Sequence, residues 1–235
     1  MLTPFGTDLW LAEGPVVEGM AGFRFPTRMA LMRLGDAGLA AWSPVAPTEA
    51  LLAQAEALGP VRWLIAPNAL HHLFLPDWVR AFPRARVLAA PGVREKRPEL
   101  VIHAVLGADP VPSAFAGALD LAPIRGNRLF TEVALFHRAS RTAIFTDLLQ
   151  ALPPGWFRGW RGLVAKLDRM QEAEPTVPRK FRIAFRDRAA ARASLAPVLA
   201  WPAERLVVAH GAPVERDAAA LLQRAFGWLQ EGRGR

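Results

Sequence analysis

The sequence predicts an α/β protein with helices packed on strands, and three observations carry that prediction. A β-hairpin near the amino terminus is followed by helix and strand signals in alternation as far as Lys96. A second hairpin occupies Glu132–Thr146, with Arg138-Ala139-Ser140-Arg141 as its turn. Towards the carboxyl terminus, the strand Arg205–Ala209 leads into an amphipathic helix over Val214–Leu229.

Each element has its own signal. Asp8–Val17 and Phe23–Leu34 read as strands, with Arg28 inside the second. The glycines of Leu34-Gly35-Asp36-Ala37-Gly38-Leu39 permit the positive φ of a hairpin turn, and Leu39–Trp42 returns as the partner strand. Ser43-Pro44 ends it. Thr48 caps a helix over Glu49–Leu58 and Gly59 stops that helix. Arg62–Ala66 has the length and composition of a buried strand; Pro67 and Asn68 break it, and Pro76 opens a helix over Pro76–Phe82. Arg86–Ala89 is a further strand, Val93–Lys96 a short charged helix, and Leu100–Val105 and Leu119–Pro123 short apolar runs. Residues 148–200 carry Pro153-Pro154-Gly155, Trp156, Trp160 and helical patterns over Leu163–Met170 and Ala189–Leu199, which predicts a helical insertion covering one edge. No solenoid repeat or linker interrupts the chain, so one domain over residues 1–235 is expected.

Composition narrows the function. The chain of 235 residues is 52% hydrophobic and 21% charged, the balance of a folded globular protein. No apolar run has the length of a membrane span, and MLTPFGTDLW lacks the pattern of a signal peptide, so a cytoplasmic protein is expected. The absence of cysteine excludes disulfides, thiolate ligands and cysteine nucleophiles. The net charge of +8 comes from 26 arginines against three lysines, a skew that with the alanine richness reads as codon bias rather than selection for phosphate. The densest basic segment, Arg179–Arg192, reads as a solvated helix face near the mouth of a site. The expected partner is therefore a small molecule, with neither nucleic acid nor membrane.

Three apolar strands end in residues of metal-ligand type: Ile65-Ala66 leads to His71 and His72, Phe145-Thr146 to Asp147, and Val208-Ala209 to His210. Sites in layered α/β proteins collect at carboxyl ends of strands. Three imidazoles and one carboxylate suit one divalent metal ion, zinc first, with iron or manganese as alternatives. His71 and His72 both reach one point only from irregular backbone, which Pro67 and Asn68 supply. One core histidine and one surface histidine would account for the pair equally well.

The chain resembles the metallo-β-lactamase superfamily, and more closely a domain-of-unknown-function family within it. The matching segments are PTRM (26–29), SPVAPT (43–48), PNALHHLF (67–74), LAAPGVREKRP (88–98), EVALFHRASRTAIFTD (132–147) and AHGAP (209–213). The resemblance implies a four-layer αββα sandwich with metals in a cleft at the sheet edges. The superfamily loop reads HxHxDH; its first two histidines fall here on Pro67 and Ala69, its aspartate on His71 and its last histidine on His72. The histidine expected before the second hairpin has no counterpart near Gly126–Arg128. Asp147 and His210 match the bridging aspartate and the final histidine. One metal is thus implied, held by His71, His72, Asp147 and His210.

The remaining candidates surround that set. Glu132 is the candidate for proton transfer, with a salt-bridged glutamate as its plain alternative. Arg28 and Asn68 are candidates to support the loop, and His137 to hydrogen-bond within its hairpin. Ser43 takes a place where relatives often carry an acidic residue, so no nucleophilic role is assigned to it, and His103 reads as structural. The expected function is that of a metal-dependent hydrolase acting on an ester, amide, lactone or phosphoester. The alternative is a degenerate, non-catalytic binding module of the same fold. Four protein ligands would close a tetrahedral zinc, a difficulty for the first reading.

Overall fold

The apolar runs become strands buried on both faces, which is why several lack polar alternation. In the computed structural model, which describes residues 1–230, the first seven strands are β1 (Leu2–Gly6), β2 (Leu9–Glu18), β3 (Arg24–Arg33), β4 (Leu39–Trp42), β5 (Val61–Ala66), β6 (Arg86–Ala89) and β7 (Ala104–Val105). They form one sheet in chain order, antiparallel through β4 and parallel from β4 to β7. The second sheet has the order β11-β10-β9-β8, from β8 (Leu119–Ile124), β9 (Glu132–His137), β10 (Thr142–Ala151) and β11 (Arg205–Gly211). Here β8, β9 and β10 are antiparallel, whereas β10 and β11 run parallel.

The helices are α1 (Glu49–Leu58), α2 (Leu75–Ala81), α3 (Val93–Lys96), α4 (Gly159–Leu167), α5 (Arg179–Ala184), α6 (Arg188–Leu199) and α7 (Ala218–Gln230). Three packing layers follow. Trp42, Trp63, Ile65 and Leu88 of the first sheet meet Val133, Leu135, Ile144 and Val207 of the second in the central core. On the outer face of the first sheet, Leu31, Leu39 and Leu64 pack with Leu51 of α1 and Trp78 of α2. Phe145 and Val208 on the outer face of the second sheet pack with Leu195 of α6 and Phe226 of α7. The result is the αββα sandwich that the family resemblance implied.

Some element bounds differ from expectation for local reasons. The strand expected to stop at Thr146 continues to Ala151, with a break in its pairing to β11 between Phe145 and Gln150. The helix expected from Val214 begins at Ala218, because Val214 pairs with Leu206 in an isolated bridge. Segment 159–199 does contain helices, but α6 lies in the outer layer over β8 and the face of the second sheet rather than over an edge. Among the described helices only α4 sits apart, its Ala165 packed with Leu152, Phe157, Met170, Phe23 and Phe25.

Candidate metal centre

The break after β5 is organised by Asn68, which is wholly buried. Its Oδ1 accepts the N–H groups of Leu70 (2.7 Å) and His71 (3.1 Å), a local turn that an asparagine favours. Its Nδ2 donates to Asp147 Oδ2 at 2.8 Å and to Thr146 Oγ1 at 2.9 Å, so the same side chain ties the loop to β10. The turn sends His71 inward. His72 points away, and its Nδ1 accepts Arg97 Nε at 2.9 Å.

The structure therefore does not bring all four expected ligands together. His71, Asp147 and His210 each place one donor atom within 4.8 Å of the others, and His72 is not among them. His71 Nε2 lies 3.1 Å from Asp147 Oδ2, and His210 Nε2 lies 3.2 Å from Asp147 Oδ1. The two rings are tilted at 46° with centroids 5.3 Å apart. Opposite nitrogens are also held. His71 Nδ1 is 2.7 Å from Ser43 Oγ, and His210 Nδ1 is 2.9 Å from the carbonyl oxygen of Pro26. A carbonyl only accepts, so that contact requires Nδ1–H on His210. In the neutral ring the Nε2 lone pair then faces a carboxylate oxygen, so the contact suits either a cation between the two or the doubly protonated imidazolium, which donates from both nitrogens.

The electrostatics couple the two rings to the carboxylate. Burial pulls the His71 imidazole down, but the charge of Asp147 and the bond to it outweigh burial, so its pKa is raised above 6.5. Burial also pushes Asp147 up, yet His71 and His210 hold it well below the usual carboxylate range. His72 behaves oppositely: burial, then Arg97 and Lys96, lower it to about 4.

Glu132 is not free to act as a base. It is fully buried, and its carboxylate accepts the backbone N–H groups of Thr146 (2.8 Å), Asp147 (2.8 Å) and Leu148 (2.9 Å). These amides lie where β10 leaves its regular pairing with β9, so the side chain stands in for a strand. Burial and the nearby Asp147 raise its pKa against the three amide bonds. Its carboxylate holds the irregularly paired stretch of β10 that carries Asp147.

Arg28 supports His210 from outside. Its Nη1 donates to the carbonyl oxygens of Val208 and Gly211, on either side of His210, and its Nε donates to Glu13 Oε1 at 2.7 Å. Gly211 is required where β10 and β11 close in, since a Cβ there would stand 2.8 Å from the Ala151 carbonyl oxygen. His137 lies at the other end of β9 from Glu132 and pairs with Ser140 Oγ at 2.8 Å, a contact within the hairpin. His103 Nδ1 accepts the N–H of Val87 at 3.0 Å. Ser43 is the residue that sequence reasoning left without a role. It sits at φ 52°, a strained conformation for a residue other than glycine, which aims its hydroxyl at His71. Its signal was the Ser-Pro step at the end of β4.

The donor set fits a metal. Ligand atoms of a tetrahedral zinc, each about 2.1 Å from the ion, stand about 3.4 Å apart, so the closest separations here need to open by a few tenths of an ångström. Three protein ligands also leave one position open. No described helix is long and apolar enough to cross a membrane.

Comparison with known proteins agrees with this architecture. Residues 9–157 match the family described as a domain of unknown function, DUF4336. A metallo-β-lactamase from Pontibacter korlensis is similar in structure with a TM-score of 0.63 at 14% identity, covering 98% of both chains. A metallo-β-lactamase from Pseudomonas aeruginosa, in its mono-zinc form, gives a TM-score of 0.60 at 13% identity, over 100% of this chain and 96% of that one. The metal-soaked flavodiiron core of a Synechocystis protein gives 0.63 at 15% identity, over 100% of this chain and 62% of that one. No curated protein matches the sequence.

Proposed function

The chain belongs to the DUF4336 family, and from that premise we propose that it is a metallo-β-lactamase-fold metalloprotein holding one divalent ion between His71, Asp147 and His210. Zinc is the first choice for two imidazoles and a carboxylate, and the same trio suits iron or manganese. The observation that carries the proposal is the orientation of His210. Its Nδ1 is committed to the Pro26 carbonyl oxygen, which makes Nε2, 3.2 Å from Asp147 Oδ1, the atom that would face a bound ion.

The activity we infer is hydrolysis of a small ester, amide, lactone or phosphoester. When bound, the ion supplies Lewis acidity to the substrate oxygen and acidifies water. The residues do the rest by position. Ser43 and Pro26 hold the two rings by their Nδ1 atoms, Asn68 orients the Asp147 carboxylate, and Glu132 holds the main chain beneath it. Loss of His72 from the set supports this reading, because the difficulty of a closed four-ligand zinc disappears. Glu132 is withdrawn as the general base, since its oxygens are engaged with three amides.

A second reading, a non-catalytic binding module, is favoured by Pro67 and Ala69 at the positions of two superfamily histidines. One experiment separates the two. Protein purified without a metal-binding tag is analysed for metal and assayed on nitrophenyl esters, lactones and a bis-nitrophenyl phosphate diester. The hydrolase reading expects about one equivalent of metal, lost in His71→Ala, Asp147→Ala and His210→Ala, together with turnover that chelation abolishes. Metal without turnover supports the module, and a metal-free protein overturns both the site and the hydrolase.

A further inference from the structure

Helix α4 carries its apolar stripe on the outside. Trp160, Leu163, Val164 and Leu167 follow the i, i+3, i+4, i+7 spacing that normally faces a core, and they span an arc of about 100°. Yet they are 56%, 61%, 41% and 57% exposed, and the helix buries only Ala165. Two neighbours extend the patch. Trp156 is exposed in the turn before α4, and Met20 is 91% exposed beside Ala21, whose carbonyl oxygen accepts Arg161 Nε at 2.9 Å. These apolar side chains are grouped on one helix face and its neighbours rather than scattered singly, the arrangement that marks interaction surfaces.

The surrounding charge identifies the occupant. Arg161 and Lys166 flank the stripe on its two sides, and Arg161 stacks on Trp160 with its guanidinium 4.6 Å from the ring centroid. Arg158 precedes the helix, and Arg24 lies beside Trp156, whose Nε1 donates to its carbonyl oxygen at 2.8 Å. Arg24, Arg158 and Lys166 have no ion-pair partner among the described residues. Within residues 153–167 there is no acidic side chain at all. A helix with Trp and Leu on one side, cations along both margins and a partly buried back has the form of an interfacial helix. A second copy would set like-charged rims against each other on chains of net charge +8.

We propose that α4 and its flanking turns dock this protein on an anionic lipid surface, Trp160, Leu163 and Leu167 entering the headgroup region and Arg158, Arg161 and Lys166 meeting lipid phosphates. This revises the expectation of no membrane partner and does not rest on the metal reading. The patch also connects to the candidate centre. Trp160, Phe23, Phe157, Phe25 and His210 succeed one another at ring-centroid separations of 5.8, 5.0, 5.9 and 5.2 Å.

The test is co-sedimentation of the full chain with vesicles of phosphatidylglycerol and phosphatidylcholine in equal parts, and with phosphatidylcholine alone. Binding is expected to the anionic vesicles, weaker to the neutral ones, and diminished by salt. Leu163→Glu with Leu167→Glu should lower the partition coefficient more than tenfold, and Arg158→Gln and Lys166→Gln roughly five-fold each. All four side chains are exposed, so the thermal unfolding of these variants should match the parent; Trp160→Phe serves as a milder probe should the double variant unfold. Wild-type protein that stays in the supernatant with anionic vesicles overturns the proposal. So does a dimer in light scattering that the leucine variant dissociates, in the absence of vesicle binding. Equal binding by the folded leucine variant overturns it as well.

Discussion

The Glu132 carboxylate accepts the backbone N–H of Asp147 at 2.8 Å, so one buried acid fixes the main chain of the other. Three amides converge on it, and an amide side chain can accept at only one of its two terminal atoms. Glu132→Gln is therefore expected to lose about 2–4 kcal/mol of stability, measured by urea unfolding. A variant of unchanged stability but abolished turnover would return Glu132 to the chemistry.

Ser43 is expected to act on metal affinity through the ring it orients. Ser43→Ala should weaken metal binding about 10–100-fold while His71 remains present, measured by competition with a chromophoric chelator. Ser43→Gly removes the hydroxyl but tolerates the positive φ, so it should lose affinity without losing stability. Full affinity in both variants would show that the 2.7 Å contact to His71 has no part in the site.

Arg28→Gln leaves the carbonyl oxygens of Val208 and Gly211 without their shared donor inside the structure. The expected cost is about 3 kcal/mol, and metal affinity should fall with it because those carbonyls flank His210. Chemical denaturation with and without added zinc checks both effects. A stability loss with unchanged affinity would confine Arg28 to the fold.

His72 gives the pH prediction. Its pKa falls from 6.5 to about 4 on folding, through burial and then the charges of Arg97 and Lys96. The unfolded chain thus binds the proton more readily between those values, and stability is lost progressively as pH falls from about 6.5 to about 4. His72→Gln should flatten that part of the stability profile and leave the metal content unchanged. An NMR titration of the His72 ring near 6.5 would contradict both the pairing and its consequence.

Much of this centre was legible because strand ends are legible. Ile65-Ala66, Phe145-Thr146 and Val208-Ala209 are apolar runs that stop abruptly, and the polar residue beyond each stop can belong to a site. The assignments of Asp147 and His210 to one cluster rest on that reasoning, and their 3.2 Å separation agrees with it. What failed was decided by partners that no spacing reveals. His72 is drawn away by Arg97, twenty-five positions further on. Glu132 is taken by amides of another strand. Ser43 matters through a backbone conformation and a contact to the loop that follows the neighbouring strand. The α4 stripe reads in sequence as an ordinary buried face, and only the packing shows it turned outward.

The three ring and carboxylate donors come from different slabs of the sandwich: His71 follows β5 of the first sheet, while Asp147 and His210 belong to β10 and β11 of the second. An ion seated among them is thus a rivet through both slabs. Its occupancy would report on how well they are clamped, so damage in the Ile65–Val207 seam is expected to register as loss of metal.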